Sequence, residues 1–251
     1  MSGALMNPGV PLPANWEAPV KAVVDYILTR SDVDPNKIAL YGTSLGALLA
    51  ARAVAYEKRI SACICQGLVV DVYEAWHGVW PKALQRAKPA TFDRVFALAE
   101  LASPQLRKLA SLFRRMHGVS SASQMIEAWK PFSVKELGQR IQCPLLVLYG
   151  EAEYAEQTSE PLMKSIGHFL SDVAGPVSLH EFSYDDGWAA THCQIGGLSA
   201  FQEVAFAWLD RVVIKKEPSS HLAFPMELMT KHHGNKKDLL ASFAGIRLDV
   251  V

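Results

Sequence analysis

Four short, largely apolar runs, separated by stretches with helical periodicity, constrain the fold of this chain more than any other feature. They occupy residues 37–41 (KIALY), 60–66 (ISACICQ), 143–149 (CPLLVLY) and 176–183 (PVSLHEFS). Such runs are typical of strands in a parallel sheet, and we expect 37–41 to be buried on both faces. Strands that alternate with helices predict an α/β fold, with a mainly parallel sheet between layers of helices.

Helical periodicity lies on both sides of these runs. The first helical stretch has Val20, Val23, Val24 and Ile27 on one face, and Asn15 is placed to cap its start. A second helix is predicted directly after the first strand, and the amphipathic stretch 199–213 closes the domain. We therefore predict one domain over residues 1–214, followed by a C-terminal appendage over 215–251.

A long insertion, from about Asp71 to Arg140, separates the second strand from the third. Connections in α/β folds usually have a few residues, so we interpret this segment as a helical lid. It contains two amphipathic stretches, 92–102 and 104–116. It also carries three tryptophans: Trp76, Trp80 and Trp129.

The composition excludes several classes of partner. Lys+Arg and Asp+Glu both number 25 in 251 residues, so the formal net charge is zero. A neutral chain gives no electrostatic reason to expect nucleic acid or an anionic membrane, and a small-molecule substrate is expected instead. No apolar run reaches the roughly 18 residues of a spanning helix, and the N-terminus lacks the pattern of a secretory signal, so we expect a cytoplasmic protein.

The four cysteines are expected to be free thiols. Cys63 and Cys65 alternate along one predicted strand, so their side chains should point to the same face. Together with Cys143 and Cys193 they show none of the paired spacings of zinc ligands. We therefore expect neither a metal nor another cofactor.

The sequence Gly42-Thr43-Ser44-Leu45-Gly46 fits the pattern G-x-S-x-G between a predicted strand and a predicted helix. In a nucleophile elbow the serine sits at a strained backbone conformation, and the small flanking residues avoid clashes at the turn. The turn would present Ser44 at the carboxyl edge of the sheet, and the Leu45 amide would be free to stabilise an oxyanion. We therefore predict that Ser44 is a nucleophile rather than an ordinary loop serine.

A serine nucleophile needs a histidine base and an acid that orients it, in the chain order Ser, Asp or Glu, His. His192 lies in the loop before the last helix, where that order requires the base. His168 and His180 fall inside a predicted helix and a predicted strand, so His192 is the prediction. Asp185 and Asp186 are expected to be turn residues.

The acid is less narrowly determined by the sequence. Glu151, Glu153 and Glu156 all follow the third strand, and we predict Glu153. Asp71, after the second strand, is a second location from which a carboxylate could reach the histidine.

The stretches "DVDPNKIALYGTSLG", "CPLLVLYGEAE" and "GWAATHCQIG" resemble the α/β-hydrolase superfamily over most of residues 15–213. The pair His192-Cys193 and "GVSSASQMIEAWKPF" resemble the branch that contains 2,6-dihydropseudooxynicotine hydrolase and the fungal yellowish-green-type heptaketide hydrolyases. That resemblance implies hydrolysis of an ester, or of a C–C bond next to a ketone, in a polyketide-like secondary metabolite. It also implies that Ser44 is the nucleophile or a polarising group, and that Glu153 stands where the family has an aspartate.

The resemblance also raises two expectations about the rest of the chain. Trp76 and Trp80 of the insertion would line a pocket for an aromatic substrate, although packing is the commoner role of tryptophan in helices. The family has further strands ahead of the elbow, so the chain is expected to be shortened at its N-terminus and to expose an edge of its first strand. A covering segment or a homodimer would protect that edge.

Two other functions compete with hydrolysis. A shortened hydrolase fold with little or no catalysis could serve as a binding or scaffold partner. An acyltransferase uses the same three residues and differs in excluding water.

Overall fold

A computed structural model describes residues 10–156 and 160–216 of the protein. These residues divide into two compact units. The first, the sheet unit, comprises Asn15–Val70 and residues 134–216. The second, the insertion unit, comprises residues 10–14 and Asp71–Ser133. The predicted appendage lies outside the described residues, except for Lys215 and Lys216.

The described elements follow one another in the order that the sequence predicts, with strands and helices alternating. Up to the insertion these are α1 (Glu17–Ile27), β1 (Ala39–Thr43), α2 (Leu45–Tyr56) and β2 (Ala62–Gln66). The insertion adds α3 (Val72–His77), α4 (Lys82–Gln85), α5 (Pro89–Ala102), α6 (Pro104–His117) and α7 (Ala122–Ala128). The chain continues through β3 (Leu145–Gly150), α8 (Glu151–Glu156), α9 (Glu160–Asp172), β4 (Val177–Phe182) and α10 (Leu198–Leu209).

The four strands form one parallel sheet in the order β1-β2-β3-β4, which confirms the predicted fold class. Thr43 is in register with Gln66, and Gln66 with Leu148. Since all the strands run the same way, their carboxyl ends meet at one edge of the sheet. The residues that follow β1, β2 and β3 are thereby brought to the same side of the molecule.

Helices cover both faces of the sheet. Cys65 of β2 faces α2, where its Sγ lies 3.4 Å from the carbonyl oxygen of Ala47. The preceding strand residue, Ile64, belongs to a buried cluster with Trp208 of α10. Because successive strand residues point to opposite faces, α2 and α10 lie on opposite sides of the sheet. The sulfurs of Cys63 and Cys65 are 3.8 Å apart, which confirms that they share one face.

The expectation that β1 is buried on both faces is wrong. Ala39, Tyr41 and Thr43 are exposed, whereas every residue of β2 and β3 is buried. The physical reason is position in the sheet: within the described residues β1 pairs with β2 on one side and with no strand on the other. An apolar composition alone therefore does not separate an edge strand from a central one.

The expected cap of the first helix is also wrong. α1 begins at Glu17, its N-cap is Trp16, and no side chain caps it. Asn15 contributes its backbone instead, since its carbonyl oxygen accepts a hydrogen bond of 3.1 Å from the Ala18 amide.

The insertion unit consists mainly of helices, and aromatic rings pack closely within it. The predicted helical stretches 92–102 and 104–116 lie in α5 and α6. Trp76 packs edge-on against Phe113 at 5.0 Å, and Trp80 lies 5.2 Å from Phe96, measured between ring centroids. An antiparallel bridge joins Asp71 to Ser133, so the unit ends before the predicted boundary near Arg140. The role of this unit as a lid stays a prediction.

None of the helices in the described ranges combines the length and apolarity that crossing a bilayer would require.

Candidate active site

Ser44 lies on the turn that joins β1 to α2. Its backbone has φ 54° and ψ −122°, which confirms the strained conformation that the motif predicts. The Ser44 amide donates a 2.8 Å hydrogen bond to the carbonyl oxygen of Gln66, at the end of the neighbouring strand β2. The turn is therefore fixed to the sheet on the side where the later loops arrive.

The two glycines of the motif have different roles, which corrects the expectation that both are needed to avoid clashes. A Cβ placed on Gly42 would lie 2.0 Å from the carbonyl oxygen of Gly46, so Gly42 cannot carry a side chain without moving the turn. Apart from its chain neighbours and the backbone of its own helix, a Cβ on Gly46 would meet no described atom within 4 Å. Only Gly42 is required by the close approach of strand and helix.

Leu45, the predicted oxyanion donor, is the first residue of α2. The amides of a helix's first turn have no intrahelical acceptor, and the helix dipole favours negative charge at that end. Leu45 is the residue directly after Ser44, so its amide is suited to bind an oxyanion formed on a carbon bonded to Ser44 Oγ.

His192 follows β4 in a tight turn, His192–Gln194, and its ring reaches the serine. Its Nε2 lies 3.0 Å from Ser44 Oγ. The His192 side chain is 35% exposed, so solvent reaches one side of the ring. The competing His168 and His180 lie in α9 and β4, as expected from the sequence.

Glu153 meets the other nitrogen of the same ring. Its Oε2 lies 2.6 Å from His192 Nδ1, and its side chain is 3% exposed. Its Oε1 accepts a 2.9 Å hydrogen bond from the Gly150 amide, at the end of β3. Both carboxylate oxygens are thus engaged, and the group is held against the imidazole by the strand that precedes it.

The alternative acids have other contacts. Glu151 accepts a 2.8 Å hydrogen bond from the Tyr184 amide, and Asp71 caps α3 by accepting from the Glu74 amide at 2.8 Å. The side chain of Glu156 lies outside the described residues.

The directions of the hydrogen bonds follow from the chemistry of the three groups. An ionised carboxylate only accepts, so Nδ1–H of His192 donates to Glu153 and Nε2 is left to accept from the Ser44 hydroxyl. The Cys193 sulfur, 3.3 Å from His192 Nε2, and then the Glu153 carboxylate raise the pKa of His192 above its ordinary value of 6.5. Burial opposes this shift of the pKa. The arrangement can accept a proton from Ser44 and stabilise the resulting imidazolium.

Sequence reasoning missed three neighbours of the histidine. The Cys193 sulfur contacts the reactive nitrogen, as given above. Gly67, with φ 65°, makes room for the ring, since a Cβ there would lie 2.9 Å from His192 Cε1. Gln66 hydrogen-bonds to the loop that carries His192. For Gln66 and Gly67 the sequence signal was a polar residue followed by glycine at the end of an apolar strand, which does not by itself point to a catalytic site. Cys193 was noted only for the resemblance of the pair His192-Cys193, without a role.

Within the described residues no three His, Cys, Asp or Glu side chains are grouped so that they could hold a metal ion. The predicted substrate residues Trp76 and Trp80 lie in the insertion unit, where both are half-buried.

The curated proteins that are similar in sequence to this chain include several named hydrolases. No family model matches the chain. Hydrolase ORFZ of Pyricularia oryzae is 26% identical over 216 residues, which cover 78% of this chain and 49% of that protein. The chain spans about half the length of the curated relatives it matches.

Two solved structures share the arrangement of the elements. The 2,6-dihydroxy-pseudo-oxynicotine hydrolase has a TM-score of 0.57 and 19% identity, and the match covers 83% of this chain and 49% of that one. The alpha/beta hydrolase GrgF from Penicillium sp. sh18 has a TM-score of 0.52 and 15% identity, and the match covers 83% of this chain and 75% of that one.

Proposed function

We propose a function from the premise that this chain has the α/β-hydrolase fold, which the two solved structures show and which the sequence motifs predicted. The function is that of a serine hydrolase with a Ser44-Glu153-His192 triad. One observation carries the proposal: an unbroken line of hydrogen bonds runs from Glu153 through His192 to Ser44, with distances of 2.6 and 3.0 Å. These are the contacts that a general base needs with its nucleophile and its orienting acid.

In the proposed reaction, His192 Nε2 takes the Ser44 proton as Oγ attacks the carbonyl carbon of the substrate. The oxyanion is held in part by the Leu45 amide. The tetrahedral intermediate then collapses to an acyl-enzyme, and the imidazolium gives its proton to the leaving group. Water, deprotonated by His192, releases the acid product and restores the serine.

Direct attack by Ser44 is favoured over a mechanism in which Ser44 only polarises a carbonyl and His192 activates water. The separation of 3.0 Å between Nε2 and Oγ is short enough for direct proton transfer. The strained backbone at Ser44 adds support, because such strain is commonly kept where a nucleophile must be presented.

The substrate is proposed to be an ester, or a ketone with a cleavable neighbouring C–C bond, in a polyketide-like secondary metabolite. Hydrolysis is supported by two similar proteins, a hydrolase of Pyricularia oryzae and a 2,6-dihydroxy-pseudo-oxynicotine hydrolase. The polyketide-like substrate rests on the resemblance that the sequence carries around His192 and Cys193. Trp76 and Trp80 are proposed as substrate contacts, because both residues are only half-buried and flat aromatic rings stack on indoles.

The test is hydrolysis of p-nitrophenyl acetate by the wild-type protein and by Ser44→Ala. We expect a burst of p-nitrophenol followed by slower turnover in the wild type. In Ser44→Ala we expect loss of both phases with a change in Tm of about 3 °C or less. Turnover that survives in a folded Ser44→Ala variant would contradict the nucleophile. Absence of any burst or turnover in the wild type would favour the non-catalytic scaffold instead.

A further inference from the structure

Gln66 forms hydrogen bonds with both the turn that carries Ser44 and the loop that carries His192. It is the last residue of β2 and is 1% exposed. Its carbonyl oxygen accepts the 2.8 Å hydrogen bond from the Ser44 amide. Its side-chain Nε2 donates to the carbonyl oxygen of Cys193 at 2.8 Å, directly after His192. One buried residue therefore joins the nucleophile turn to the histidine loop.

The orientation of the Gln66 amide is fixed by its partners. Nε2 also donates to the side-chain oxygen of Gln194 at 2.9 Å, so both of its hydrogens are used. Oε1 accepts from the hydroxyl of Tyr41 and, at 3.2 Å, from that of Thr43. The Cys193 carbonyl oxygen can only accept, so an amide turned the other way would place its own oxygen against that acceptor. The Cys193 carbonyl therefore determines the orientation, and the two hydroxyls complete it as donors.

The histidine loop needs such an attachment, because its backbone is strained. Cys193 and Gln194 have φ of 54° and 50°, in the left-handed region that residues other than glycine rarely adopt. Conformations of this kind persist only where the surroundings hold them. The Gln66 side-chain amide hydrogen-bonds to both strained residues: to the backbone carbonyl of Cys193 and to the side-chain oxygen of Gln194.

We propose that Gln66 is a positioning residue that sets the distance between Ser44 Oγ and His192 Nε2 by joining both loops to the end of β2. This proposal rests on the proposed function of Ser44 and His192. Gln66 acts through its neighbours and does not touch the reacting atoms. A misplacement of about 1 Å in such a pair can lower a rate by about 10²-fold, so loss of the attachment should be measurable in turnover.

The first test compares Gln66→Met with Ser178→Ala. Methionine keeps the length of the side chain and removes its hydrogen bonds. Ser178→Ala is the matched control, because it removes another buried hydrogen bond of the sheet unit, the 3.0 Å bond from Trp208 Nε1. The readout is kcat for p-nitrophenyl acetate per serine titrated with a fluorophosphonate, so unfolded molecules do not count. We expect Gln66→Met to lose about 10- to 100-fold in kcat per site with little change in KM, and Ser178→Ala to keep its kcat per site.

The second readout does not depend on catalysis. A proton shared between His192 Nδ1 and Glu153 gives a low-field ¹H NMR signal, which is assigned by its loss in His192→Asn. We expect this signal to shift or broaden in Gln66→Met and to stay unchanged in Ser178→Ala. If the wild type neither labels nor turns over, the proposed function fails, and the NMR signal still decides whether Gln66 positions the ring.

Should Gln66→Met not fold, Tyr41→Phe tests the same network from its half-exposed end. It removes the hydroxyl that donates to Gln66 Oε1 and should produce a smaller change in the same direction. An unchanged NMR signal together with unchanged kcat per site, in either folded variant, would overturn the proposal.

Discussion

At the scale of single residues, Glu153 is the group whose chemistry can be changed with the least change in shape. In Glu153→Gln the Gly150 amide would keep the carbonyl oxygen as its acceptor, so the new NH₂ group would face His192 Nδ1. Nδ1 would then have to accept, and the proton would move to Nε2, which could no longer take a proton from Ser44. We expect about a 10³- to 10⁴-fold loss of kcat with p-nitrophenyl acetate.

The control for this prediction is Glu151→Gln, since Glu151 belongs to the same helix and bonds to the Tyr184 amide rather than to the histidine. Its effect on kcat should be much smaller. If Glu151→Gln or Asp71→Asn proves more damaging than Glu153→Gln, the acid has been assigned to the wrong residue.

The pH dependence of the rate is also set at this scale. His192 must be neutral to act as a base, so kcat/KM should rise with pH as the imidazolium loses its proton. Because Cys193 and Glu153 favour the charged ring and raise its pKa, the midpoint of this rise should lie above 6.5. Cys193→Ala removes the larger cause, so the pKa falls and the midpoint should move to lower pH.

Cys143→Ala is the matched control, since it removes a half-buried free thiol that lies before β3. It should leave the midpoint where it is in the wild type. A wild-type midpoint at or below 6.5, or an equal displacement in both cysteine variants, would show that the Cys193 sulfur does not govern the titration.

Much of the proposed site could be predicted from single residues, and the reason is chain order. Ser44 and His192 each lie in a loop that follows a strand, and the end of each strand can be located from the local sequence pattern. The contacts of Gln66 and Cys193 could not be predicted in this way. They depend on how two loops, far apart in the sequence, meet above the sheet, and neither residue type signals that meeting.

At the scale of secondary-structure elements, the two glycines at the junction of β1 and α2 are predicted to differ in their effect on stability. Gly42→Ala would place a methyl group 2.0 Å from the Gly46 carbonyl oxygen, so the turn must move. We expect a loss of about 3 kcal/mol in the free energy of unfolding. Gly46→Ala has open space and removes a glycine from a helix, so it should be neutral or stabilise the protein by about 0.5–1 kcal/mol.

Urea denaturation of both variants measures these free energies. Equal destabilisation by the two substitutions would mean that the strand and helix approach each other differently from what the geometry indicates.

The elements themselves were largely predictable, and their surroundings were less so. All four strands fall within the predicted apolar runs or extend them by one or two residues. The burial of β1 was not predictable, because 37–41 has the composition of a central strand while Tyr41 is 48% exposed at the edge. The start of α1 was missed because Asn15 bonds through its carbonyl oxygen rather than through its side chain.

At the scale of the whole molecule, the parallel sheet explains why the proposed reactive groups meet. Ser44 follows β1, Glu153 follows β3 and His192 follows β4, so one edge of the sheet receives all three. Gln66 ends the strand between them. A homodimer through the outer edge of β1 stays a prediction, as does the role of the insertion unit in binding substrate.

The central claim is that Ser44 is an activated nucleophile, and labelling with a fluorophosphonate tests it most directly. The reagent phosphonylates a serine whose hydroxyl proton is taken by a base, with loss of fluoride. Peptide mass spectrometry should find the label on Ser44 in the wild type and no label in His192→Ala. A folded wild-type protein that stays unlabelled, or one that is labelled equally with and without His192, would contradict the claim.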